Sequence, residues 1–208
     1  MAAGIIFIFV QMIHPPEVLS SVTTSTWAVV HYLTIAMCLL GLIGMTGLYV
    51  RQARAVGWLG LLGYAMFSLF LALTMTLVFA EAFILPLLAT ETPKFVEGFL
   101  GIVSGVTSEV DLGSLPTLGM LAGVFYMFGG VLFGTAIFRA RILPRWAGFV
   151  LAFGTVLPLL LPHAIVRLAA VPVGLGLAWL GFALWSERQQ PATEPRLDQN
   201  SLQFRQAE

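Results

Sequence analysis

The chain has 208 residues, 59% hydrophobic and only 10% charged, with ten cationic side chains balanced by ten acidic ones. A soluble domain carries about 25% charged residues, so a mean hydropathy of +0.94 makes the bilayer, not water, the expected solvent. A single cysteine, Cys38, excludes an intrachain disulfide and a thiolate metal cluster, and a single lysine, Lys94, leaves no phosphate-binding GK[ST] loop. No basic patch interleaved with aromatics is present, so neither nucleotide nor nucleic acid is an expected partner.

In lipid every backbone polar group needs an internal partner, which leaves helices or closed barrels. Apolar runs near 20 residues without period-2 alternation argue against a barrel. The expected fold class is all-α: a polytopic transmembrane helix bundle of about six spans, in contact with the lipid bilayer. The segments are Ala2–Ile13, Thr26–Tyr49, Gly57–Leu85, Leu115–Phe138, Trp146–Pro162 and Leu168–Trp185.

The first segment covers only about 18 Å as a helix, against a hydrocarbon core of about 30 Å. Two explanations follow: a start site placed too late, or a helix that begins mid-membrane against its neighbours. It ends at "HPPE", where a residue before proline avoids the α region. His14 must therefore leave the helix, and Pro15 and Pro16 stop it. The connections Val50–Gly57 and Arg139–Trp146 hold five arginines and no acid, so the positive-inside rule puts both in the cytoplasm. The other side carries Glu17, Glu91, Lys94, Glu97, Glu109, Asp111 and Arg167, acids in the majority, and both termini then fall inside. Trp27, Trp58, Trp146 and Trp185 stand at segment ends, where indoles prefer the headgroup level.

The long outer connection holds "TPKFVEGFLGIVSGV", with Thr92 as N-cap and Pro93 as first residue of a short helix near 93–106. Phe95, Phe99, Ile102 and Val106 recur at helical spacing, which suits a connector lying in the interface or a lid. Glycines at four-residue spacing mark helix contacts: Gly119, Gly123, Gly130 and Gly134; Gly57, Gly60 and Gly63; Gly174, Ala178 and Gly181. Prolines 86, 158, 162 and 172 make the outer half the irregular one. "GLYVRQARAVGWLG" echoes "GTAIFRARILPRWAG", either as a duplicated hairpin or as two cytoplasmic turns under the same rules. Residues 186–208 form a polar, proline-containing tail expected to be disordered and cytoplasmic.

Ionisable groups within spans are expensive and point to function. By helix rise, His31 and His163 lie roughly 27 and 26 Å outward of the inner boundary and Glu81 roughly 35 Å. His14 ends the first span on the same side, so all three histidines share one level. In the third segment Gly60, Tyr64, Phe67, Leu71, Thr74, Val78 and Glu81 make one face. Facing helices can bring His31, Glu81 and His163 together, with His14 nearby. Two histidines and a carboxylate would suit a metal such as zinc; His31 and His163 alone would suit a haem between helices. A third reading makes them ordinary interfacial residues bonded to water, backbone or Glu81, with Arg167 a rival partner for Glu81. Lipid, quinone or solute binding without a metal completes the set.

The segments "HPPE", Trp27 with His31, "GLYVRQ", "LFGTAIFRARILPRWAG" and "GLAWLGFALW" resemble a group of small uncharacterised bacterial multi-pass membrane proteins. The resemblance covers most of Ile13–Trp185 and implies a bacterial plasma-membrane location, but no activity, cofactor or catalytic residue. In that group the stretch before HPP is longer, so the first span is where this chain departs. The leading expectation is a non-enzymatic binding, transport or accessory role, with a polar pocket near the outer leaflet and a membrane-protein partner or homo-oligomer. The alternative is a membrane enzyme or redox protein using His31, Glu81 and His163.

Overall fold

In the computed structural model, residues 1–189 are described, the side chains at 103, 104, 163, 164 and 188 excepted. Of this part 83% is helical and none is strand, so the fold is all-α. The helices are α1 (Ala2–Ile13), α2 (Ser25–Phe83), α3 (Leu85–Leu88), α4 (Pro93–Ser104), α5 (Leu115–Ala140), α6 (Arg145–Val156) and α7 (Ala170–Gln189). Three-residue 3-10 turns at Leu19–Ser21 and Leu157–Leu159 and a longer one at His163–Ala169 connect them. Three helices, Ser25–Phe83, Leu115–Ala140 and Ile165–Glu187, are long and apolar enough to cross a membrane; Ala2–Ile13 and Arg145–Leu159 are apolar but shorter.

Helix α2 corrects the expected boundaries. Residues 50–56, read as a connection, continue the helix, and the reversal falls on Gly57 alone at φ 54, ψ −154. That backbone region is open essentially only to glycine. The two arms then run antiparallel: Trp27 bonds Glu81, Leu71 faces Gly41 and Thr46 meets Tyr64. Gly57 is thus a turn and not a packing glycine, and Gly60 faces only its own Val56. The echoed segment turns differently, through Arg141 in the left-handed region (φ 56) as the cap of α5.

Around the bundle the second arm of α2 packs on α5, α5 on α6, α6 on α7, α7 on α1, and α1 on α2. Several seams are glycine contacts. A Cβ on Gly129 would stand 2.5 Å from the Phe67 nitrogen, and one on Gly148 2.6 Å from the Gly134 oxygen. Gly174 faces Gly4 and Ile8, and Gly181 faces Met1, while Gly123, expected in the α5 stripe, meets nothing. The face predicted for 60–81 does point inward: Gly60, Phe67, Leu71, Val78 and Glu81 are buried, with Tyr64 and Thr74 half-buried. Ile43, Leu87, Leu159 and Leu160 are exposed on the outside of the bundle.

The outer half is the irregular one. Pro158 stands where α6 gives way to 3-10 geometry, Pro162 precedes the next 3-10 turn, and Pro86 lies in the single turn α3. Helix α7 continues to Gln189, so the first residues of the expected tail are helical; 190–208 lie outside the described residues.

Candidate functional site

Local sequence sets up the outer end. His14 is extended (φ −62, ψ 124), as a residue before proline must be, and α1 stops there. Thr24 caps α2 by accepting from the Trp27 amide at 3.2 Å. Trp27 and His31 follow one turn apart, their rings stacked at 4.1 Å and 28°. The Trp27 indole N–H donates to the Glu81 carbonyl at 2.8 Å, pinning the two arms of α2 together at their open end.

His31 carries the main polar contact. Its Nδ1 lies 2.6 Å from the Trp27 carbonyl oxygen. A carbonyl can only accept, so Nδ1 holds a hydrogen. Nε2 then faces Glu81 Oε2 at 3.2 Å, and two lone pairs would repel at that distance. The approach lies off the line of a hydrogen bond, leaving Nε2 without one. His31 is 1% exposed and Glu81 7%.

His14 packs its ring edge on His31 at 5.2 Å and donates from Nδ1 to the Pro15 carbonyl at 2.8 Å. Its Nδ1 also lies 3.5 Å from Glu17 Oε1. Arg167, from the turn before α7, donates to the His14 carbonyl at 2.7 Å and reaches Glu17 Oε1 at 3.4 Å. Arg167 was expected as a rival partner for Glu81; its acidic partner is Glu17, because the α1–α2 connection lies between them. Glu17 Oε2 is buried without a partner.

The structure thus brings His14, His31 and Glu81 together. His163 opens the 3-10 turn ahead of Arg167, and its side chain is outside the described residues. Among the described residues no group of three His, Cys, Asp or Glu side chains is arranged to hold a metal ion. Trp27 and Glu17 are members of the cluster that the sequence pattern does not single out, and Arg167 joins it with a different acid from the one expected. Trp27 was read as an interfacial anchor but is 0% exposed, whereas Trp58, Trp146 and Trp185 are exposed. The signal for its different role was the i, i+4 spacing to His31.

Helix α4 roofs this end. Val96, Phe99 and Leu100 are buried with Val22, Trp27 and Leu85. Of the expected face, Phe99 is buried and Phe95 and Ile102 pack against the cluster, while Val96 and Leu100 widen it; Val106 is exposed because α4 stops at Gly105 in the left-handed conformation. Trp27 lies under α4 and His31 and Glu81 are buried beside it, while His14, Glu17 and Arg167 are partly exposed. A separate cavity of about 160 Å³ lies deeper in the bundle, between α1, both arms of α2 and α7. Gly4, Phe7, Gly41, Met45, Phe67 and Leu177 are among its walls, and every lining residue is glycine or apolar.

Burial drives the two loop titrations apart. His14 is pushed down to about 4 by desolvation, helped by the charges of Arg167 and His31 and opposed by its bond to Pro15. Glu17 is pushed up to about 7 by desolvation and the charge of Glu81, with Arg167 and His31 opposing. Glu17 therefore stabilises the fold fully below its ordinary value of 4.5, and that contribution is lost as pH rises towards 7. His14 does the reverse, its contribution appearing as pH rises from about 4 to 6.5. The two cancel between pH 4.5 and 6.5, so wild-type stability is expected to be flat there. Glu17→Gln should make stability rise with pH across that window, and His14→Gln should make it fall. Denaturant unfolding in micelles at three pH values reads the slopes; three parallel slopes would refute the cancellation.

No family model, curated protein or solved structure matches the chain.

Proposed function

We propose that the chain is a six-span integral protein of the bacterial plasma membrane, both termini cytoplasmic, acting as a non-enzymatic binding, transport or accessory subunit. The topology is supported by the folding-back of α2, which with α1, α5, α6 and α7 makes six helical segments. It is also supported by charge: Arg51 meets Glu187 at one end, while Glu17, Glu81 and Arg167 gather at the other. The observation that carries the non-enzymatic reading is the burial of the His31–Glu81 pair. Both side chains are packed against each other, and the Trp27 indole closes over them onto the Glu81 carbonyl. The room inside the bundle is apolar, so the ligand it suits is an apolar group such as a lipid tail.

Gly44 tests this reading. It lines the cavity at an exposed position where a Cβ meets nothing within 4 Å, so Gly44→Leu should narrow the opening. Protein purified in mild detergent should release a co-purified apolar molecule on solvent extraction, and Gly44→Leu should release less. Equal release from both proteins would remove the cavity from the account. A Soret band or stoichiometric metal that disappears in His31→Ala would overturn the reading in favour of a haem or metal site.

A further inference from the structure

The inner end of the bundle holds a second polar region. A groove of about 450 Å³ runs between the α5–α6 connection and the last turns of α7. Its walls include Arg141, Pro144, Arg145, Ser186 and Glu187. Glu187 is already engaged: its Oε2 accepts from Arg51 Nε at 2.7 Å. Arg141 and Arg145 have no acidic partner among the described residues. The Arg145 guanidinium lies over the Phe138 ring at 4.0 Å and near Trp146 at 5.6 Å, which fixes its plane. Its Nε is buried with no hydrogen-bond partner, an arrangement that costs free energy unless an acceptor arrives.

Two neighbouring features favour an anion at the same place. Arg141 is held in the left-handed region by the end of α5, which fixes its backbone at the rim. Helix α6 starts at Arg145 with no side-chain cap and no acid in its first turn, leaving its positive end open. Trp146 and Trp185 are exposed on the same end of the bundle, at the level indoles take among lipid headgroups. An anion at this depth in a bilayer is a headgroup phosphate, and guanidinium groups match phosphate oxygens in geometry.

We infer that Arg141 and Arg145 form a binding site for the phosphate of an anionic phospholipid in the inner leaflet. The inference rests on the membrane-spanning, termini-inside reading above. The lipid phosphodiester takes the Arg141 guanidinium and the accessible side of the Arg145 guanidinium, and its acyl chains lie along the apolar outer faces of α6 and α7. The site would tie the α5–α6 connection to the end of α7 across the groove.

The full-length protein in mild detergent is mixed with equal phosphatidylglycerol and phosphatidylcholine, and retained lipid is counted by native mass spectrometry. Wild type should retain phosphatidylglycerol in preference. Arg141→Gln with Arg145→Gln should weaken that retention by roughly thirty-fold, the sum expected for two cations at a lipid surface. Arg54→Gln removes a charge from the same end outside the groove and should leave retention unchanged. Equal retention of both lipids by wild type, or an equal loss in Arg54→Gln, would overturn the site in favour of diffuse charge. Competition by millimolar inorganic phosphate as strong as that by the lipid would overturn the lipid assignment. A fluorescent-protein fusion at the C-terminus reads topology separately: fluorescence in cells with no retention fails this site alone, and a dark, periplasmic fusion fails the topology on which it rests.

Discussion

Glu81→Ala is expected to lower unfolding free energy by about 1–3 kcal/mol, because it removes one member of a buried polar pair and leaves the other without its partner. The partner left behind is His31, 1% exposed and fixed by its bond to the Trp27 carbonyl. The size of this effect separates the pair from ordinary contacts between membrane helices, which average about 0.6 kcal/mol. Thr46 and Tyr64, hydroxyls 3.0 Å apart on the same two arms, fall in that smaller class. Replacing both members by apolar residues, His31→Phe with Glu81→Leu, should give a protein at least as stable as wild type, since replacing both partners of a buried polar pair leaves neither one unsatisfied. Denaturant unfolding in micelles measures all three. A Glu81→Ala protein that unfolds with wild type would show that the pair contributes nothing to the fold. The double variant then separates roles: folded and functional, the pair is a structural staple between the arms; folded and inert, it is a working site.

Gly148→Leu should do comparable damage by a different route. The new Cβ would stand 2.6 Å from the Gly134 carbonyl oxygen and 2.9 Å from Ile137 side-chain atoms. A backbone atom cannot rotate aside as a side chain can, so α5 and α6 would have to separate. Overpacking costs about 1–3 kcal/mol where side chains can adjust, and this site is expected at or beyond the upper end. Gly123→Ala on α5 is the control, since its Cβ would meet nothing within 4 Å and alanine favours helix. Melting of purified protein should fall steeply for the first and hold or rise for the second. A Gly148→Leu protein as stable as the control would mean that the α5–α6 contact is looser than its backbone approach implies.

These contrasts show where reading a chain without its fold succeeds. The composition and lengths of the apolar runs specified an all-α protein, because lipid leaves few ways to satisfy a backbone. The stripe from Gly60 to Glu81 was legible because a helix repeats its face every three to four residues. Proline positions announced the irregular half, although only the fold narrowed the reversal expected over Val50–Gly57 to Gly57 alone and put Gly123 in open space.

Membership of the outer cluster required more. Helical periodicity ranks the residues on one helix, but it does not say which helix lies opposite or how each is rotated. Gly57 reverses the chain tightly enough to set Trp27 against Glu81, and that register buried an indole that composition placed at the headgroups. The α1–α2 connection then put Glu17 before Arg167, which deprived Glu81 of the cation that sequence spacing allowed it. From the sequence alone came the element type and the apolar faces of the helices, both of which depend on local chemistry. Lateral neighbours, the pairing of His31 with Glu81 and the placing of Arg141 and Arg145 beside one groove without an acidic partner among the described residues were decided by tertiary packing, because they depend on rotations about helix axes that no one-dimensional pattern specifies.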